Sequence, residues 1–234
     1  MSDPAANAIR SQSRSRVDVR TMTSLAMLAA IAYVVMILSK MLPQVLGFLQ
    51  MDLKDTVICI GGFVFGPLAA AIISIVVAVV EMFTYSDTGI IGCIMNVLAT
   101  VSFCCTASFV YKKVHTKKGA VLGLALGVAA LVAVMLLWNY LITPLYMPGF
   151  TRADIAGMLP TIFLPFNLAK GGLNMAVILL LYKPVVTALR RARLVPESQS
   201  ILQPGGKVNV GFLLFSLVLL ATFVTWTLVL MGIL

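Results

Sequence analysis

"AVLGLALGVAALVAVMLLWNY", from Ala120 to Tyr140, runs for 21 residues without one charged side chain. At 1.5 Å per residue, a helix of that length covers about 30 Å, the thickness of a bilayer hydrocarbon core. Lipid offers the backbone no hydrogen-bond partners, and a helix satisfies its own within one segment. The stretch reads as a transmembrane helix, and its neighbours follow the same pattern.

Upstream lies a lysine cluster, Lys112, Lys113, Lys117 and Lys118, and before it another apolar run ending near Tyr111. Moving toward the N-terminus, "YSDTG" is a turn-forming loop. It is preceded by a span running to about Thr84 and a short glycine-containing span near Thr56–Phe65. "FGP" (65–67) turns the chain between these two, with proline suited to the first turn of the next helix. The first span runs from about Met22 to Leu42. Downstream, "TPLYMPGFTRADIAGMLP" reads as an outer loop, and a sixth span runs from about Thr161 to Tyr182. The final apolar run, "VNVGFLLFSLVLLATFVTWTLVLMGIL", is long enough for a seventh span.

Overall composition agrees. The 234 residues are 61% hydrophobic and 11% charged, with a mean hydropathy of +1.05, outside the range of soluble domains. The formal net charge of +9 would otherwise suggest nucleic acid, but its distribution points to topology. Arg10, Arg14, Arg16 and Arg20 precede the first span, and Lys183, Arg190, Arg191 and Arg193 follow the sixth. With the lysine cluster and Lys207, thirteen of the seventeen basic residues fall on one side, the cytoplasmic side by the positive-inside rule. Lys40, Lys54 and Arg152 fall outside or near the outer interface. The expected organisation is a cytoplasmic tail over 1–20, a six-span domain over 21–193, a polar linker over 194–207 and a seventh transmembrane helix over 208–234. The tail lacks the order of a signal peptide.

One charge breaks the pattern inside a span. Lys170 lies in "PFNLAKGGLNM" (165–175), flanked by Asn167 and Asn174 at i−3 and i+4, on one helix face. A lysine near the bilayer centre costs roughly 2.5–3.5 kcal/mol on insertion scales, so it reads first as a functional site. Two readings compete. Lys170 either ion-pairs with Glu81, near the outer end of the third span, or joins the two carboxamides in a pocket for a polar ligand. Asn139, at the outer end of the fifth span, and Asn96, in the fourth, could face the same cavity. Trp138 reads as an interfacial belt residue. "MDLKD" (51–55) either closes that cavity or is a solvated loop. Ala26 and Ala30 form a small-xxx-small pattern on the first span, with Ala29 and Ala32 beside it.

Other chemistry is sparsely provided. Cys59, Cys93, Cys104 and Cys105 sit in apolar stretches without metal-ligand spacing, and read as packed thiols. There is no Walker-type phosphate loop, no HExxH motif and a single histidine, His115. A binding protein powered by partners fits this inventory better than an enzyme.

Two stretches carry a more specific signal: "FLQMDLKDTVICIGGFVFGPLAA" (48–70) and "LPFNLAKGGLNMAVILLLYK" (164–183). Together they resemble the substrate-binding S component of energy-coupling factor (ECF) vitamin transporters, most closely its riboflavin-specific group. The pattern there is F-L-x-x-D-x-x-D, then GG-x-x-F-G-P, then PFN-x-x-KG. The resemblance covers about Met22 to Lys183. It implies an all-α integral membrane protein, a six-helix bundle to which this chain adds a C-terminal transmembrane helix. It also implies a vitamin pocket near the outer face, capped by the first outer loop, where Leu49, Met51 and Asp52 are the candidates. Asn167 and Lys170 match the flavin-contacting positions and Asn139 matches a further contributor, while Asn96 and Asn174 stay candidates from the reading of the residues alone. Ala26 and Ala30 match the surface that docks on a transmembrane coupling subunit, and two ATPase subunits would supply the energy by hydrolysing ATP. Riboflavin is then the transported ligand, with no catalytic cofactor or metal. The added helix is expected to be peripheral, so that deleting 208–234 spares ligand binding. Competing readings are an S component for thiamine, folate or biotin, a membrane-embedded enzyme, and a structural subunit.

Overall fold

The computed structural model describes residues 19–86, 88–146, 149–192 and 210–234. Arg10, Arg14, Arg16, Arg193 and Lys207 lie outside these residues. The chain runs α1 (Val19–Ser39), α2 (Lys54–Phe65), α3 (Pro67–Thr84), α4 (Gly89–Lys113), α5 (Lys117–Leu141), and the short α6 (Thr143–Tyr146) and α7 (Arg152–Met158). A π-helical turn (Leu159–Phe163) leads into α8 (Leu164–Arg191), and α9 (Val210–Leu230) completes the described chain. Among the described residues six segments are long and apolar enough to cross a membrane: α1, α3, α4, α5, the run Arg152–Leu189, and α9.

The exception is α2. Its 12 residues reach about 18 Å, short of a bilayer, and most of them are buried. Ile58, Cys59 and Ile60 are fully enclosed by α1, α3, α4 and α8. The glycine motif makes this possible. A Cβ at Gly62 would collide with Ser108 of α4 and approach Ala70 of α3 to 2.9 Å, so a side chain there would force the helices apart. Gly66 has φ of +98°, a left-handed conformation that lets the chain reverse before Pro67 opens α3.

Around α2, each long helix gives one face to the core and the other to lipid. On α1 the buried positions are Ser24, Leu28, Ala29, Ala32, Met36 and Ser39, a helical stripe, while Ile31, Val34 and Leu38 are exposed. In contrast, α9 is apolar all round and largely uncovered, packing along α8.

Two expectations need correction. Within the stretch read as an outer loop, Thr143–Tyr146 and Arg152–Met158 are helical, the latter started by a reciprocal capping box of Thr151 and Asp154. Lys183, Arg190 and Arg191 lie on α8, which continues through Pro184, rather than in a loop.

Candidate functional site

At the end of the bundle where α1 stops, residues 40–53 fold back over α8. Val45 and Leu49 exchange backbone hydrogen bonds of 2.7 and 3.0 Å, closing a tight turn. Phe48 meets the edge of Phe163, with ring centroids 6.4 Å apart. Val45 and Met51 pack on Phe166 and Ala169 of α8, and Met51 is 1% exposed. Leu49, packed beside them, is half-buried. The loop is thereby seated on the residues that flank Asn167 and Lys170 in sequence.

The π-turn shapes that face of α8. Pro165 has no N–H, and in a regular helix its ring would clash with the carbonyl four residues back. A turn closed by Leu164 N–H to Leu159 O widens the spiral at that point. Asn167 follows, 3% exposed, donating through Nδ2 to Phe163 O at 2.7 Å. Among the described residues no donor reaches its Oδ1. Asn139 makes the same back-bond to Met135 O at 2.7 Å, but its Oδ1 accepts from Thr143 at 2.9 Å. Asn96 is half-buried on α4, one turn before Thr100.

Asn174 ties the loop to α8. Its Nδ2 donates to Asp52 O at 2.8 Å and to Lys170 O at 3.0 Å, and its Oδ1 accepts from Thr56 at 2.9 Å. Asp52 in turn receives the Lys54 backbone N–H on Oδ1 at 2.8 Å and the Lys54 ammonium on Oδ2 at 2.7 Å. Lys54 also reaches Glu81 at 2.7 Å, and Glu81 binds Lys40 at 3.0 Å. Asp55, 1% exposed, accepts from Thr100 at 2.7 Å. Glu81 is thus the partner of Lys54 and Lys40, which overturns its pairing with Lys170. Lys54 is 2% exposed, in the first turn of α2.

Three cations and three carboxylates therefore converge from α2, α3, α8 and the loop. The Lys170 charge acts on both Asp52 and Asp55, yet among the described residues no carboxylate lies within 4 Å of its Nζ. Burial pushes the Asp52 carboxyl up, but the charges of Lys54 and Lys170 outweigh it and hold the group below its ordinary value of 3.8. The arrangement leaves two polar groups on one face of α8 with capacity to spare, the Asn167 acceptor and the Lys170 donor. Sequence reading missed Lys40, Thr56 and Thr100, and held Lys54 and Asp55 only as part of "MDLKD", a segment that either closed the cavity or was solvated. The available signal was an acid–base–acid cluster opening directly onto a glycine-rich apolar helix. Ala26 and Ala30 lie away from this site, exposed on α1, while Ala29 and Ala32 are consumed by the core.

The fold and this cluster define a polytopic helical membrane protein with a buried polar site at one end. Residues 20–182 match the family described as ECF transporter, substrate-specific component, and the chain belongs to that family. It is 32% identical to the riboflavin transporter RibU of Staphylococcus aureus over 178 residues, 74% of this chain and 93% of that protein. It is 29% identical to the riboflavin transporter FmnP of Bacillus subtilis, over 75% of this chain and 98% of that one. A solved S component of a bacterial ECF transporter superposes with a TM-score of 0.60 at 28% identity, covering 73% of this chain and 98% of the other. The chain is accordingly a transporter component and not an enzyme.

Proposed function

We propose that the chain is the riboflavin-binding subunit of an ATP-driven uptake transporter, presenting the vitamin to a transmembrane coupling subunit and two ATPases. The observation that carries this reading is the pair Asn167 and Lys170, one spare acceptor and one spare donor beneath a seated loop. Riboflavin is neutral, with a ring edge that alternates carbonyl acceptors with an N–H donor, and a polyhydroxyl chain. Lys170 donates to a ring carbonyl and Asn167 Oδ1 accepts the ring N–H. The carboxylates of Asp52 and Asp55 face the hydroxyls, and apolar side chains such as Met51 and Phe166 cover the ring. A small-molecule site needs that combination of apolar lining and few placed polar groups. The names of the similar transporters support the same ligand.

In this reading the end bearing residues 40–53 faces outward and the N-terminus is cytoplasmic, in a bacterial plasma membrane. Asn139, Asn96 and Asn174 line or brace the pocket, and Leu49, Met51 and Asp52 belong to its cap. Ala26 and Ala30 offer a small-residue surface to the coupling subunit.

The deciding experiment is a visible absorbance spectrum of the detergent-purified chain without added ligand, followed by riboflavin fluorescence quenching. A retained flavin band that disappears in Lys170→Met supports the proposal. A colourless protein that fails to quench added riboflavin refutes it, and thiamine, folate and biotin become the ligands to test.

A further inference from the structure

The family match ends at residue 182, before α9 begins, so α9 is an addition that the family bundle does not require. Its placement is nonetheless specific. Gly172 of α8 lies between Lys170 and Asn174, and the Phe223 ring of α9 sits where a side chain of residue 172 would be. Phe223 stacks on Trp226, with centroids 5.9 Å apart and planes 9° from parallel. Trp226, Leu230 and Met231 then pack against the cluster of Val45, Met51, Phe166 and Ala169. Half of this cluster is loop and half is α8, so the end of α9 packs against the cluster that joins them.

Besides the Phe48–Phe163 edge contact and the seating of Val45 and Met51 on α8, the loop is held by polar fastenings. Leu53 N–H donates to Ser39 at 3.2 Å, Gln50 donates to Lys40 O at 3.2 Å, and Asn174 holds Asp52 O. The apolar closure around Met51 includes Trp226, Leu230 and Met231 beside Leu49. Elsewhere α9 is mostly exposed and contributes little to the core.

We infer that α9 holds the first loop in its seated position, making Phe223 and Trp226 positioning residues that lengthen ligand retention. The inference rests on the riboflavin reading for its ligand, but its geometry can be tested without one. In the full chain, with the half-buried Cys93 and Cys105 replaced by alanine, Met51→Cys reports loop seating through its rate of alkylation by a water-soluble maleimide. Trp226→Ala and Phe223→Ala are each expected to raise that rate, and Trp226→Phe to restore it. Riboflavin release, followed by recovery of flavin fluorescence, should accelerate at least about fivefold in the alanine variants, since such changes act mainly on dissociation. Their unfolding temperatures should stay near that of the parent. Unchanged alkylation in both alanine variants would overturn the inference. If the parent binds no riboflavin, the ligand assignment fails while the alkylation comparison still decides the role of α9.

Discussion

Lys170 and Lys54 are the same residue type in one buried region, and the structure gives them different work. Lys54 is saturated by Asp52 and Glu81, both at 2.7 Å. Removing one partner leaves a buried charge exposed to a low dielectric, which costs about 3–5 kcal/mol. Glu81→Gln should accordingly lower the unfolding temperature in detergent, because Lys40 loses its anion and Lys54 keeps only Asp52. Among the described residues Lys170 has no such partner, so Lys170→Met should leave thermal stability nearly unchanged while abolishing riboflavin binding. A matched loss of stability in the two variants would contradict this division of roles. Asp52 adds a pH dependence. Its folded pKa lies below the unfolded value near 3.8, so its stabilisation is complete above that value and is lost as pH falls through the folded one. Thermal scans should therefore be flat in this respect from neutral pH to about 4 and fall below it, with the fall reduced in Asp52→Asn.

At the level of elements, α2 is the least conventional helix and the most constrained. Too short to span the bilayer, it begins with Lys54 and Asp55 in the charge cluster and ends at the Gly66 reversal. Asp55 in its first turn is favourably placed against the helix dipole. Because Ala70 cannot rotate away from Gly62, Gly62→Ala should destabilise the protein by about 1–3 kcal/mol, the range of overpacked cores. Chemical denaturation in mild detergent would read this directly, and an unchanged midpoint would show that the helices can separate freely. The π-turn at Leu159–Phe163 is the other element-level device. It admits Pro165 into a helical path and so sets the facing of Asn167 and Lys170.

Across the whole molecule, the lipid-facing surface and the small-residue patch on α1 are separate from the charge cluster. Binding and partner docking can therefore be uncoupled. Replacing Ala26 and Ala30 together with tryptophan should leave riboflavin quenching intact, and should abolish uptake in cells that supply the coupling subunit and ATPases. Loss of quenching in that variant would mean that the α1 face communicates with the pocket in the isolated chain.

Length and hydropathy by themselves determined the class of this protein, because a bilayer demands about 20 apolar residues per helix and leaves few alternatives for the backbone. The intramembrane charge in "PFNLAKG" was equally visible, since a lysine amid apolar residues stands out without coordinates, but whether it was paired was not. Partner choice was not legible. Lys54 lies only two residues from Asp52 but 27 from Glu81, and only the packing of α2 against α3 brings the three together. The same holds for Asn174, whose bond to Asp52 O spans 122 residues. The position of Phe223 over Gly172 likewise depends on how α9 docks, and hydropathy says nothing of docking because every face of α9 is apolar. Local pattern determines where a chain can cross a membrane. Long-range contacts decide which buried charges neutralise one another and which remain for a ligand.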